Sequence, residues 1–214
     1  MAPQRPRLFG ATYSVYVRIA RLTLLEKGVD HDCVSVDIFS PDGVPAWYAE
    51  RHPFKKIPAF EHGALRLFET AAIARYVDEA FPGPALQPDD VAERAVMAQI
   101  IGLLDAYAYR TLVWDIYVER VSKPREGGVP DEARIAAALP RARICLATLA
   151  ALKRPGPWLL GENLTLADLH AAPIFAYFLQ ASEGREMLAG FPELGSWWEH
   201  MAGRDSFVET RPDD

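Results

Sequence analysis

Two short motifs hold the residues best suited to chemistry: Lys56-Ile57-Pro58-Ala59-Phe60 and Phe68-Glu69-Thr70-Ala71-Ala72-Ile73. Proline at the start of a strand removes a ladder donor and often marks a cis turn. A cis bond at Ile57-Pro58 would turn the N–H and C=O of Ile57 outward, free to pair with an extended peptide by strand addition. Glu69-Thr70 follows shortly after and opens a helix. A helix N-terminus presents unpaired N–H groups and about half a positive charge, so a ligand carboxylate can sit there. Thr70 offers a hydroxyl donor and Glu69 an acceptor for an ammonium. Together these groups suit a free α-amino acid head followed by an extended peptide residue.

The elements that must position these motifs follow from periodicity. Arg7 to Gly10 reads as a short strand. Ser14 opens a helix as its N-cap, with Val17, Ala20 and Leu24 on one face and Gly28 as the stop. His31 to Ile38 alternates like a strand, with Val34, Val36 and Ile38 β-branched. Phe39 to His52 is a loop with room for one helical turn. Ile57 to Glu61 and Leu65 to Phe68 flank His62-Gly63 as a hairpin. Ile73, Tyr76, Val77, Ala80 and Phe81 then form a helical stripe that Pro82-Gly83-Pro84 ends. The order β-α-β, loop, β-β-α describes a small mixed sheet with helices.

From Asp89 onward the signals are helical only. A long helix is predicted from Val91 to about Val121, then a loop over Pro124 to Pro130. Asp131 starts another helix, which Pro140 should kink or restart. A further helix begins at Thr165, and one lies within Glu193 to Ala202. Thr165 with Asp168 reads as a capping box, a structural pair rather than a catalytic one. The predicted division is residues 1–82 mixed α/β, 83–90 linker, and 91–214 all-helical.

Composition narrows the function. The chain has 214 residues, a net charge of -6 and no evident basic cluster, which argues against nucleic acid, whose phosphates need clustered Lys and Arg. No signal-type run follows the polar Met1 to Arg7, and no apolar stretch reaches the roughly 18 residues of a membrane helix. The cytoplasm is the expected location. Cys33 and Cys145 stand far apart and read as reduced thiols. His31, His52, His62, His170 and His200 show no metal-ligand spacing, so no metal is expected.

The stretch from Arg51-His52-Pro53-Phe54 through Phe68-Glu69-Thr70-Ala71-Ala72-Ile73 resembles the glutathione-site block of the cytosolic glutathione transferase superfamily. Its flavour is serine-type, phi/theta-like, bacterial or fungal. With Trp158-Leu159-Leu160-Gly161 and Asn163 to Leu169, the resemblance runs over roughly residues 7 to 205. It implies a thioredoxin-like N-terminal domain (βαβ-ββα) and an all-α C-terminal domain. It also implies a homodimer that joins glutathione, as co-substrate, to small hydrophobic electrophiles in detoxification.

By the same resemblance the catalytic residue lies between the first strand and first helix. Matching Leu8-Phe9-Gly10-Ala11-Thr12-Tyr13-Ser14 to the phi-like pattern puts it on Ser14, with Tyr13 as runner-up. Glutathione would be held by Lys56, Ile57, Pro58, Glu69 and Thr70. The electrophile pocket would draw on Tyr13, Phe39, Tyr107, Thr111 and Trp114. No cysteine falls near Ser14, which weighs against the cysteine-using branches, glutaredoxins and maleylacetoacetate isomerases. One departure stands out: Pro41-Asp42-Gly43-Val44-Pro45 lacks the basic residue that phi-like relatives use for the glycine carboxylate, and Lys56, then Lys55, is the substitute. The alternatives are a non-catalytic ligand- or partner-binding protein of the same fold, and a glutathione-dependent reductase or lyase.

Overall fold

A computed structural model describes residues 5–41 and 43–212; the start of the Met1 to Arg7 stretch and Asp42 of the Pro41–Pro45 loop lie outside the described residues. Strands β1 (Arg7–Phe9), β2 (Asp32–Val34), β3 (Ala59–His62) and β4 (Leu65–Phe68) form one sheet in the order β2-β1-β3-β4. Helix α1 (Val15–Glu26) carries the chain back between β1 and β2, which therefore pair in parallel. β3 runs antiparallel to both β1 and β4. His62 pairs with Leu65, so the connection is the two residues Gly63-Ala64, with Gly63 at φ 62°. Helix α2 (Thr70–Ala80) completes the thioredoxin-like βαβ-ββα order.

The strand predicted from His31 to Ile38 is only three residues long. Beyond Val34 a single bond, Val36 N–H to Gly10 C=O at 3.3 Å, continues toward β1, and the chain then peels away. The predicted stripe of α1 is buried as expected. Val17, Ala20 and Leu24 meet Leu8 and Phe9 of β1, Phe60 of β3, and Ile73 and Val77 of α2. Each such side chain contributes about 1.5–3 kcal/mol when fully buried. A buried Lys27 ties α1 to the end of α2: its ammonium donates to Asp78 at 3.0 Å and to the Pro84 carbonyl at 2.8 Å.

Contacts divide the chain into two units. One runs to Ala85 and takes in the chain from Asp205 onward; the other is Leu86–Arg204. The last helix, Asp205–Glu209, was expected to belong with the helical domain, yet it packs on α1. The buried Arg18 accounts for this, since its guanidinium donates to the Phe207 carbonyl at 2.8 Å and the Thr210 hydroxyl at 3.2 Å, and lies 3.9 Å from the Phe207 ring. Without that tail a buried cation would lose these acceptors.

The second unit is helical. α3 (Val91–Leu103) continues without a break through Leu104–Ser122, wound with the wider π pitch, and Lys123–Arg125. Pro124, expected in the following loop, thus falls in the last turn of this helix. The Glu132–Leu152 helix runs unbroken through Pro140, against expectation. One lost backbone bond is outweighed by a buried stripe on both sides of it, Ile135 and Ala138 before and Ala142, Leu146 and Leu149 after. Leu166–Phe178 and Pro192–Ala202 follow the expected pattern, and a short helix, Ser182–Leu188, lies between them.

By length and composition the Glu132–Leu152 helix is apolar enough to cross a membrane. Its stripe is nevertheless buried among helices, and its Arg134 and Arg141 pair with Asp115. Both observations describe a bundle helix.

Candidate functional site

The first unit gathers three segments: the turn from β1 into α1, the loop leading into β3, and the turn from β4 into α2. Gly10 shapes the first. At φ 157° a Cβ there would lie 2.3 Å from a Val17 methyl, so only glycine lets β1 approach α1 this closely. Ser14 follows as the N-cap of α1, with extended φ and ψ of -74° and 127°. Its Oγ accepts the Val17 N–H at 3.4 Å. A capping oxygen used as acceptor leaves the hydroxyl proton to be donated elsewhere, and the side chain is only half-buried. Ser14 is thus a cap and an available donor at once.

Tyr13 is committed differently. Its hydroxyl donates to Asp37 Oδ1 at 2.7 Å, and its ring lies 5.8 Å from that of Phe39, tilted 33°. Asp37 Oδ1 also accepts the Phe39 N–H at 2.8 Å. The Tyr13 hydroxyl first, and then the Phe39 amide, hold the Asp37 carboxyl below its ordinary range.

In the second segment the Ile57–Pro58 bond is cis. Among the described residues no hydrogen bond reaches the N–H or C=O of Ile57. The loop is anchored by Tyr48, fully buried, whose hydroxyl donates to the Lys56 carbonyl at 2.7 Å. Burial pushes the Tyr48 hydroxyl up, so it remains a donor throughout the ordinary pH range. Lys55 takes a positive φ of 52°. Lys56 is exposed and makes no ion pair among the described residues.

Glu69 occupies the third segment at φ 69° and ψ 115°, a conformation costly for a side-chain-bearing residue. It is the N-cap of α2, yet no side chain caps that helix end. The first N–H groups of α2 therefore remain available to an anion. Thr70 is the first helical residue and is buried, while Glu69 is exposed.

Two residues given no role by sequence reasoning support this arrangement. Tyr48 fixes the Lys56 backbone. His52, buried beside it, has its ring 5.0 Å from Phe68 and 6.3 Å from Phe54. Burial pushes its imidazole below the ordinary value; Glu69 opposes this and Lys56 adds to it. His52 therefore lies within electrostatic reach of both proposed ligand-holding segments. The sequence signal for both was slight: aromatic residues in a stretch otherwise rich in proline and glycine.

In the second unit, Tyr107 and Thr111 line a groove of about 820 Å³ between the π-wound segment and the Glu132–Leu152 helix, together with Arg110, Arg141, Ile144 and Cys145. Burial pushes the Cys145 thiol up, which keeps it protonated. Trp114 is not part of that groove; it hydrogen-bonds Tyr109, whose hydroxyl burial pushes up. The five residues expected around an electrophile thus fall into three places: the Tyr13–Phe39 pair, the Tyr107–Thr111 groove, and Trp114.

Asp168 is fully buried and accepts from Leu159 N–H, Thr165 N–H and Thr165 Oγ1 at 2.8 Å each, and from Trp197 Nε1 at 2.9 Å. Thr165 and Asp168 form a capping box. Four donors on one carboxylate make it a structural hub.

Comparison with known proteins identifies the family. The family described as glutathione S-transferase, N-terminal domain, matches residues 8–85, and glutathione S-transferase, C-terminal domain, matches residues 107–205. The chain is 26% identical over 203 residues to glutathione S-transferase F12 of Arabidopsis thaliana, covering 94% of each. Its structure is similar to that of glutathione transferase F7 from Populus trichocarpa (26% identity, TM-score 0.81, 96% and 97% of the two chains). It is also similar to a glutathione S-transferase from Methylobacillus flagellatus KT solved with GSH bound (25% identity, TM-score 0.78, 97% and 100%). Relatives come from plants as well as a bacterium, so the bacterial or fungal leaning of the resemblance is not established by them. With a domain match on each side of the junction and likeness over nearly its whole length, the chain belongs to the glutathione transferase superfamily.

Proposed function

We propose that the protein is a serine-type glutathione transferase, in which the Ser14 hydroxyl donates to the glutathione thiolate as it attacks a small electrophile. The observation that carries this is the geometry of Ser14, whose oxygen is engaged by Val17 N–H while its proton is left to donate. Tyr13, the runner-up, spends its hydroxyl on Asp37. The energetics are adequate. Lowering a thiol pKa by two units needs about 3 kcal/mol. A charge-assisted hydrogen bond supplies about 1.5–3 kcal/mol, and the N-terminus of α1 adds about 0.3–2 kcal/mol.

Glutathione would lie extended at the end of the sheet where the Ile57-Pro58 segment leads into β3. Its cysteine backbone would pair with Ile57 beside Pro58. Its γ-glutamyl carboxylate would meet the uncapped start of α2 and the Thr70 hydroxyl, and its ammonium would meet Glu69. Lys56 would take the glycine carboxylate in place of the missing loop cation. The electrophile would lie against Tyr13 and Phe39. A cytoplasmic homodimer is part of this reading.

Turnover of a chloronitrobenzene electrophile by Ser14→Ala, alongside retention on immobilised glutathione, tests it. Retention with turnover lowered about a hundredfold, the usual cost of losing one donor to a developing anion, is expected. Unchanged turnover would remove Ser14 from the mechanism. The absence of a basic residue in the Pro41–Pro45 stretch favours one rival, a binding protein that does not turn over; wild-type retention without turnover would establish that rival.

A further inference from the structure

Tyr13 and Phe39 are both exposed aromatics, 38% and 63% accessible, yet the Tyr13 ring is tied down through its hydroxyl, the Phe39 main chain through its N–H, and the two rings lie 5.8 Å apart. A single carboxylate oxygen, Asp37 Oδ1, takes the Tyr13 hydroxyl at 2.7 Å and the Phe39 N–H at 2.8 Å. The backbones behind them are joined as well: Gly10 N–H reaches the Val34 carbonyl at 2.9 Å, and Val36 N–H reaches the Gly10 carbonyl. The loop after β2 is thereby fastened to the turn before α1 through both main chain and side chain. Exposed apolar rings held in fixed positions lose rotamer freedom and gain no burial in return. Such an arrangement is useful when a ligand supplies the burial, and Tyr13 stands immediately before Ser14.

We propose that Asp37 is a positioning residue for electrophile selection, fixing the Tyr13 and Phe39 rings as a wall that favours flat aromatic electrophiles over small non-aromatic ones. The inference rests on the transferase reading of Ser14. Asp37 touches neither the thiolate nor the electrophile; it acts through the two rings. Because those two donors hold its carboxyl low, the anchor stays ionised at any pH suited to thiolate attack. With its hydroxyl bound to Asp37, Tyr13 presents a ring face to the electrophile and leaves the thiolate to Ser14. An aromatic electrophile gains from stacking on a preset ring, whereas a one-carbon alkyl halide has no face to stack.

The test is steady-state kinetics of the full-length protein and of Asp37→Ala, Asp37→Asn, Tyr13→Phe and the Asp37→Ala/Tyr13→Phe double variant. Each is assayed with 1-chloro-2,4-dinitrobenzene and with iodomethane, and glutathione is varied separately. Asp37→Ala and Tyr13→Phe should each raise KM for the aryl chloride about five- to tenfold, the scale of one hydrogen bond to a charged group. For Asp37→Ala the KM for glutathione and the kcat with iodomethane should stay within about twofold, the range expected of a change outside the reacting atoms. The double variant should be no worse than the worse single one, because both remove the same bond. Asp37→Asn, which can still accept both hydrogen bonds, should recover most of the loss. Equal losses with both electrophiles, or additive losses in the double variant, would overturn the proposal. A wild-type protein that turns over neither electrophile would remove the transferase reading and this role with it, whereas normal turnover with unselective Asp37 variants overturns the positioning role alone.

Discussion

Ile57 matters mainly through its backbone, whereas Ser14, Lys56 and Thr70 matter through single polar groups and Glu69 through its carboxylate. Lys56 is exposed and without an ion-pair partner among the described residues, so its contribution to binding has no competing structural cost. Lys56→Ala should raise KM for glutathione about three- to tenfold, the loss of one charge-assisted contact at an exposed site. Its kcat should hold, and its thermal stability should stay unchanged. An unaltered KM would leave the glycine carboxylate to another group. The residues legible in the sequence were those whose role follows from near neighbours: a proline after Ile57, a helix start after Glu69, a serine before an apolar helical stripe. Tyr48, His52 and Asp37 were not legible, because each acts on another segment. The Tyr13–Asp37 bond in particular spans 24 positions and leaves no periodic trace.

The α and β elements were read mostly correctly where periodicity was strong, and imperfectly where proline or short strands decided the outcome. Pro140 is the instructive error: local chemistry predicts a break, and a buried stripe on both sides overrides it. The helix starting at Leu166 shows the opposite case, since its cap is written within four residues. Even there, half of what Asp168 does comes from Leu159 and Trp197, beyond the box itself. Asp168→Ala would strand the Leu159 and Thr165 N–H groups and the Trp197 indole N–H inside the core. Urea denaturation should show a loss of about 3 kcal/mol or more, with glutathione affinity per folded molecule unchanged. A loss below about 1 kcal/mol, the cost of an ordinary exposed cap, would mean the hub is not as described.

At the scale of the molecule, two units of different construction share one chain, and the tail from Asp205 returns to α1. The helical unit carries a buried anionic cluster. Glu119 accepts from Lys123 at 2.6 Å, from Arg134 at 2.9 Å and from the Asp131 N–H at 3.0 Å, while Asp115 pairs with Arg134 and Arg141. The Lys123 hydrogen bond is the largest influence holding the Glu119 carboxyl below its ordinary 4.5, against the opposing effect of burial. A folded-state value below the unfolded one gives stability that is complete above the unfolded value and disappears as pH falls through the folded one. The melting-temperature gap between wild type and Glu119→Gln should therefore be constant above about pH 5.5, the unfolded value plus one unit, and shrink steadily below pH 4.5. A gap that widens toward acid would contradict the assigned direction.

The central claim is that Ser14 stabilises a thiolate, and the ionisation of bound glutathione reads it without any electrophile. Ultraviolet titration of the thiolate band in the saturated wild-type complex should give a pKa about two units below that of free glutathione, with Ser14→Ala returning it most of the way, as expected for the loss of about 1.5–3 kcal/mol. An equal, depressed pKa in both proteins, with glutathione bound in each, would contradict it.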